Sequence, residues 1–380
     1  MMIDLPPDGL FVGRVWRAGI GPAVVTIRAG QVIDITSRAA PTLRDLLETA
    51  DVSGFVAAQT GEDIGGLAEI AALSIEAGHA QTRLLAPCDL QAVKACGVTF
   101  AGSMVERVIE ERAAGNASRA EAIRTRVAAA IGDSLRGLVP GSEQAAEVKR
   151  VLQAEGLWSQ YLEVGIGPDA EVFTKAQPMA AVGWGASVGL HPVSSWNNPE
   201  PEVVLAVDST GRIMGATLGN DVNLRDVEGR SALLLGKAKD NNAAAAIGPF
   251  LRIFDASFGL DEVRRLELSL RVEGRDGFVM TGRSSMNQIS RDPADLVRQT
   301  RGRHHQYPDG FMLYLGTLFA PVQDRDAPGQ GFTHHLGDVV TIAAADLGAL
   351  VNTVRLATEA PEWTFGTAAL MRNLADRRLI

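Results

Sequence analysis

The chain has 380 residues, 46% hydrophobic and 21% charged, enough for two domains or one large domain with a smaller companion. Its 36 Lys and Arg against 45 Asp and Glu leave a net charge of −9, which excludes nucleic acid and anionic membrane surfaces as expected partners. No apolar run approaches the ~20 residues of a membrane span, and the start, MMIDLPPDGL, lacks a signal-peptide pattern. The two cysteines, Cys88 and Cys96, offer neither metal-site spacing nor a disulfide framework, so a reducing cytoplasm is the expected setting.

Forty glycines and 5% aromatic residues point to a turn-rich β architecture rather than a helical bundle. Residues 10–36 read as three short strands, LFVGRVW, PAVVTIRA and QVIDIT, separated by turns. Thr42–Ala50 reads as a short helix starting near Thr42. Gly65–Ala77 reads as a second, with Gly78 suited to its C-terminal cap. No concentrated chemistry falls in 1–82, which is expected to be a small α/β domain that supports a main domain over 83–380 and assists assembly. A strand around Val93–Val98 then leads into a helix near Ser103. Ser103 and Glu106 fit a capping box, S-x-x-E, which accounts for both locally. The functional alternative puts this turn over a pocket, with Glu106 handling protons or water. Helical pattern continues to about Arg136 and resumes over Ser142–Leu152, so 112–165 reads as a helical insertion.

Glu171–Lys175 reads as a short strand, with Glu171 and Lys175 either an ordinary strand-end pair or two groups facing a cleft. Gly183–Pro192 reads as loop by its glycines, and His191 within it as a surface residue. The densest chemistry follows in Asn197–Asp226. Glu200 and Glu202 stand two residues apart before the apolar run Val203–Val207, so in a strand their carboxylates project side by side. DSTGR at 208–212 is a turn by composition, and the returning run Ile213–Leu218 can deliver Asp221 beside them. Three carboxylates at one spot repel each other and resist desolvation, and a hard divalent cation is the simplest compensation. Arg225 belongs to the same polar surroundings. Lys239 precedes a run of small residues; such a lysine is ordinarily solvated, or a base if held near a metal that lowers its pKa. Residues 263–283 carry a hairpin signal around EGRDG, and Asp292-Pro293 opens a helix. A strand ends at Gly316-Thr317. Adjacent residues diverge on a strand, so His304–His305 and His334–His335 read as loop residues rather than metal ligands.

PEPE at 199–202, GATLGNDVNLRD at 215–226, Lys239 with Ile247-Gly-Pro249, YLGTLFAP at 314–321, and LGDVVTI with LGALVNTV occur in this order. Together they resemble the fumarylacetoacetate hydrolase superfamily over roughly residues 83–356. The resemblance implies an α+β fold, a mixed β-sheet roll, in a homodimer or homotetramer. It implies Mg²⁺, with Mn²⁺ as the substitute, on Glu200, Glu202 and Asp221. Lys239 takes the place of the family's active-site lysine, Thr317 that of the threonine on the substrate carboxylate, and Arg83–Glu111 that of the lid. Where the hydrolases carry a histidine three residues before the lid glutamate, this chain has Ser103 before Glu106. Serine is no general base near pH 7. The departure resembles the branch of 2-keto-3-deoxy-pentonate dehydratases, as do GRSSMNQISRDPADLV and HHQYPDG. That branch implies a metal-dependent dehydratase giving 2,5-dioxopentanoate. Lys239 would remove the C3 proton, Glu171 or Glu106 would protonate the leaving hydroxyl, and Lys175 and Arg225 would contact substrate. No nucleotide cofactor is implied. The alternatives are an acylpyruvate-type hydrolase or decarboxylase on the same metal, and a non-catalytic sugar-acid-binding protein.

Overall fold

Strand-forming runs dominate the chain, and in the computed structural model they gather into two mixed sheets. The structure describes residues 3–380 except 79, 115, 118, 121, 122, 124–137, 155, 157, 318 and 320, and for 101–103 the backbone alone. The larger sheet has 11 strands. Its order is Glu62–Gly66, Gln31–Asp34, Gly21–Arg28, Phe11–Arg17, Ala245–Ile253, Ile213–Asp221, Pro201–Val207, Phe311–Tyr314, Ala92–Gly97 and Glu171–Ala176. Arg83–Leu85 branches off Phe11–Arg17. The smaller sheet runs Val279–Ser285, Glu267–Glu273, Val339–Ala344, Gly348–Leu356 and Ser187–Leu190. Phe311–Tyr314 lies parallel to Ala92–Gly97, and Gly348–Leu356 parallel to Ser187–Leu190, while the other neighbours are antiparallel.

Alternation along the Pro201–Val207 strand explains the layering. Val203, Leu205 and Val207 join a core shared with Val272, Ile342 and Leu350 of the smaller sheet. Val204 and Ala206 face the opposite way, into a second core with Leu43, Leu46, Val52 and Val56 of two short helices. A strand buried on both faces must be apolar throughout, except where function intervenes, and Glu202 is that exception. A third core joins the helices Ala101–Ala113 and Gln160–Ile166 through Met104, Val108, Leu162 and Ile166, against Trp196.

The N-terminal strands do not form a sheet of their own: Phe11 pairs with Arg252 and Val12 with Leu251. Several local expectations shift. The second helix spans only Leu67–Ser74, because Glu62–Gly66 pairs with Gln31–Asp34 as a strand, and it ends at Ile75 rather than Gly78. Part of the expected loop Gly183–Pro192 is the buried strand Ser187–Leu190. Gly189 serves close approach there, since a Cβ would lie 2.2 Å from the Asn242 carbonyl oxygen. The expected helix toward Arg136 falls partly on residues outside those described, and the next helix spans Glu143–Ala154. Among the described residues, no helix is long and apolar enough to cross a membrane.

Candidate metal and active site

The acidic cluster is built by a hairpin. Pro201–Val207 and Ile213–Asp221 pair with Gly219 opposite Glu202. Asp208 fixes the turn by accepting from the amides of Thr210 and Arg212, each at 2.9 Å. The Asp221 amide donates to the Glu200 carbonyl at 3.0 Å, which brings the third acid to the other two. Gly219 leaves room for the neighbouring strand: a Cβ would stand 2.3 Å from the Tyr314 ring. Glu200, Glu202 and Asp221 are all buried, and each offers an oxygen within 4.8 Å of the others. Burial, with Asp221 and Glu200 adding to it, pushes the Glu202 carboxyl well above the usual range, although the Gly316 amide donates to it at 2.7 Å. Asp221 shifts the other way: burial raises it, but Lys175 and Lys239 outweigh that and hold it low. Clustered buried carboxylate oxygens fit a hard divalent cation.

Lys239 ends the helix Leu235–Lys239. Its Nζ donates to Glu200 Oε2 at 2.5 Å and to Asp221 Oδ2 at 3.1 Å. Burial lowers its pKa, but Asp221, Glu200 and Glu228 outweigh burial and carry it far above the ordinary lysine value. Lys239 is thus an ammonium in this state, and the lowering that a base needs is not supplied by burial. Lys175 is fully buried. Its Nζ lies 2.7 Å from Asp221 Oδ1 and donates to the carbonyls of Val222 at 3.0 Å and Lys239 at 2.6 Å. Glu171 lines the same cavity, its pKa raised to about 7, first by burial and then by Glu228. Gly97 makes its space, since a Cβ there would fall 1.8 Å from Glu171 Oε2.

The Ala101–Ala113 helix lies over this cluster, but its start differs from the capping-box reading. Phe100 is the N-cap and makes no side-chain cap, so Ser103 lies inside the first turn. The Ser103 side chain is outside what the structure describes. Glu106 accepts from Arg225 at 3.3 Å. Arg225 also donates to Glu110 at 2.7 Å and to the Pro321 carbonyl at 3.0 Å, and it stacks 4.4 Å from the Trp196 ring centre.

A narrow cavity brings together Glu200, Glu202, Asp221, Lys239, Glu171 and Thr317. The Thr317 hydroxyl donates to the Phe319 carbonyl at 3.1 Å. Lys175, Arg225 and Glu106 do not line this cavity; they hold groups that do, or brace the helix above. Arg107 and Glu228 do line it and were absent from the sequence reading. Arg107 Nη1 lies 2.6 Å from Glu110 and 3.0 Å from Glu228, while its Nη2 holds Glu200. A wider cleft of about 390 Å³ lies elsewhere, between Trp16, Arg83 and the 359–365 segment, and includes none of the three clustered acids. The three clustered acids thus mark the narrower cavity as the candidate site.

The family profile for the C-terminal domain of fumarylacetoacetate (FAA) hydrolase matches residues 197–355, which include the acid hairpin and Lys239. A 2-dehydro-3-deoxy-D-arabinonate dehydratase of Saccharolobus solfataricus is 29% identical over 185 residues, 49% of this chain and 58% of that protein. The chain thus spans little more than half of that relative's length. A protein of Haloferax volcanii described as a probable 2-keto-3-deoxyxylonate dehydratase is 31% identical over 214 residues, 56% of this chain and 68% of that one. Among solved structures, a 2-keto-3-deoxyarabinonate dehydratase superposes with a TM-score of 0.63 at 21% identity, covering 91% of this chain and 99% of that one. A 2-keto-3-deoxy-D-arabinonate dehydratase complexed with magnesium and 2,5-dioxopentanoate gives 0.61 at 21% identity, with the same coverage of 91% and 99%.

Proposed function

Because the chain belongs to the fumarylacetoacetate hydrolase family, we propose that it is a Mg²⁺-dependent dehydratase of 2-keto-3-deoxy-D-pentonates, forming 2,5-dioxopentanoate. One observation carries this reading. A buried acid triad shares one cavity with Lys239, which it binds, and with Glu171, whose carboxyl holds its proton up to about neutral pH. Dehydration needs that combination of a base, an acid and an electrophile. Two relatives named as pentonate dehydratases support the substrate class.

Glu200, Glu202 and Asp221 would hold the ion. Bound there, a divalent cation supplies Lewis acidity toward a 2-oxo group and the positive charge that lowers Lys239 into the range of a base. Thr317 orients the substrate carboxylate at the cavity wall. Lys239 takes the C3 proton, and its tie to Glu200 and Asp221 fixes the direction from which it does so. Glu171 gives its proton to the departing C4 hydroxyl, which leaves as water, and the unsaturated product tautomerises to 2,5-dioxopentanoate. Glu171 is preferred to Glu106 as the acid, because Glu171 lines the cavity while Glu106 accepts from Arg225. Mn²⁺ offers the same oxygen-ligand chemistry as a substitute. A cytoplasmic homodimer or homotetramer is the setting that accompanies this reading.

The test is a Mg²⁺-dependent assay on D- and L-2-keto-3-deoxypentonate, with product trapped by an aldehyde dehydrogenase. Product from the D substrate is expected. If neither epimer yields 2,5-dioxopentanoate while an acylpyruvate is cleaved, the enzyme is a hydrolase instead.

A further inference from the structure

Arg107 has no part in the reaction above, yet it touches a candidate metal ligand directly. Both oxygens of Glu200 are taken by cations: Oε1 by Arg107 Nη2, and Oε2 by Lys239 Nζ at 2.5 Å. The other arm of Arg107, Nη1, is anchored on Glu110 at 2.6 Å and Glu228 at 3.0 Å. These three acids are buried, and Arg107 itself is 7% exposed. The guanidinium is therefore held from behind by one arm. Its other arm reaches Glu200 at the wall of the cavity that Arg107 lines with Glu171, Lys239 and Thr317.

Two consequences follow from the chemistry of the groups. A divalent cation on Glu200 repels the guanidinium and draws charge from the carboxylate they share, so metal binding weakens the pairing of Arg107 with Oε1. An arginine arm released inside a buried cavity is costly until it finds another anionic acceptor. A 2-oxo acid brings one, a carboxylate, which matches the guanidinium fork as Glu200 does. The helix itself need not detach during this exchange, because Arg225 holds Glu106 and Glu110 independently.

We propose that Arg107 is an exchangeable counter-ion: its Nη2 arm pairs with Glu200 in the metal-free site, yields Glu200 to the metal, and passes to the carboxylate of the bound 2-oxo acid. This rests on the reading of the acid triad as a metal site.

Calorimetry on the full chain tests it in two steps. The first titrates Mn²⁺ alone. The second titrates 2-oxobutanoate, which has no C4 hydroxyl to lose, into the Mn²⁺-loaded protein. Arg107→Met is expected to bind Mn²⁺ roughly threefold tighter or more, and 2-oxobutanoate about tenfold weaker or more, as loss of a charge-assisted hydrogen bond predicts. Arg107→Lys keeps the charge, so its Mn²⁺ affinity is expected within about twofold of the parent protein, with 2-oxobutanoate binding partly restored. If Arg107→Met does not fold, Arg107→Gln takes its place with the same expectations. Unchanged or weaker Mn²⁺ binding in the neutral variant overturns the proposal, and so does unchanged 2-oxobutanoate binding. A parent protein that binds no Mn²⁺ overturns the metal reading together with this one. A parent that binds both ligands, with variants indistinguishable from it, removes the exchange alone.

Discussion

At the scale of single residues, the proposed site divides into groups that hold charge and groups assigned to move protons. Glu200→Gln and Asp221→Asn each remove a carboxylate from the cluster whose oxygens lie within 4.8 Å. Both are expected to abolish Mn²⁺ binding by calorimetry, and turnover with it. Lys239→Ala removes the ammonium that competes for Glu200 and Asp221. It is expected to bind Mn²⁺ at least as well as the parent while kcat falls by about 100-fold or more, the usual worth of a positioned base. Near-normal turnover in that variant would exclude Lys239 as the base. The triad was legible because strand period and a turn signal bring Glu200, Glu202 and Asp221 together over a short stretch of chain, whereas Lys239 stood out only through the family resemblance. Arg107, Glu110 and Glu228 were not. Arg107 and Glu110 stand at i and i+3, which on a sequence reads as an ordinary surface pair. Only the packing of the Ala101–Ala113 helix over the sheet buries them against Glu200 and Glu228.

At the scale of elements, two glycines set the site by what they leave out. Gly97 ends its strand opposite Glu171, and a methyl group there would meet the Glu171 carboxylate rather than backbone. A flexible side-chain end can move aside, so Gly97→Ala is expected to leave Tm nearly unchanged and Mn²⁺ affinity intact. It should lower kcat about tenfold or more by displacing the acid. Full activity in this variant and in Glu171→Gln would show that Glu171 is not the acid. Gly219 meets a ring and a branched side chain instead, Tyr314 and Val204. Gly219→Ala is expected to cost about 1–3 kcal/mol, measured by urea unfolding, as overpacking does. The strands were legible from alternation and turn residues. Helix starts were less so where no polar cap marks them: Asp292 and Pro293 announce the Pro293–Thr300 helix, whereas Phe100 gives the Ala101–Ala113 helix no side-chain cap.

For the whole molecule, one acid-sensitive contribution to stability comes from a buried unit in the 324–338 loop. His334 Nδ1 lies 3.1 Å from Asp338, which Arg325 also holds at 2.6 Å. The sequence marked His334 only as a loop residue; its ring is buried because Phe332 packs edge-on 5.0 Å away. Burial lowers the His334 pKa against the pull of Asp338, so the folded protein favours the neutral ring. Burial raises Asp338, but hydrogen bonds from Arg325 and His334 hold it down to about 2. Both folded values are depressed. Their stabilisation is complete above the unfolded pKa and lost as pH falls, beginning below about 6.5 for His334 and below about 3.9 for Asp338. Between pH 7 and 5 this loss runs against Glu171, whose raised pKa favours the folded protein as pH falls. The His334 contribution is therefore read as a difference: Tm of His334→Asn is expected to rise relative to wild type on acidification from pH 7 to 5. A Tm difference that does not change with pH would sink this account. The order of strands also fixes when the site can exist. Pro201–Val207 has Ile213–Asp221 on one side and Phe311–Tyr314 on the other, and Glu202 takes its amide from Gly316. As the chain emerges from the ribosome, the acid hairpin therefore waits for roughly a hundred further residues, with its second edge open. A chain stalled before residue 311 would carry all three acids and Lys239 without the strand that walls them in.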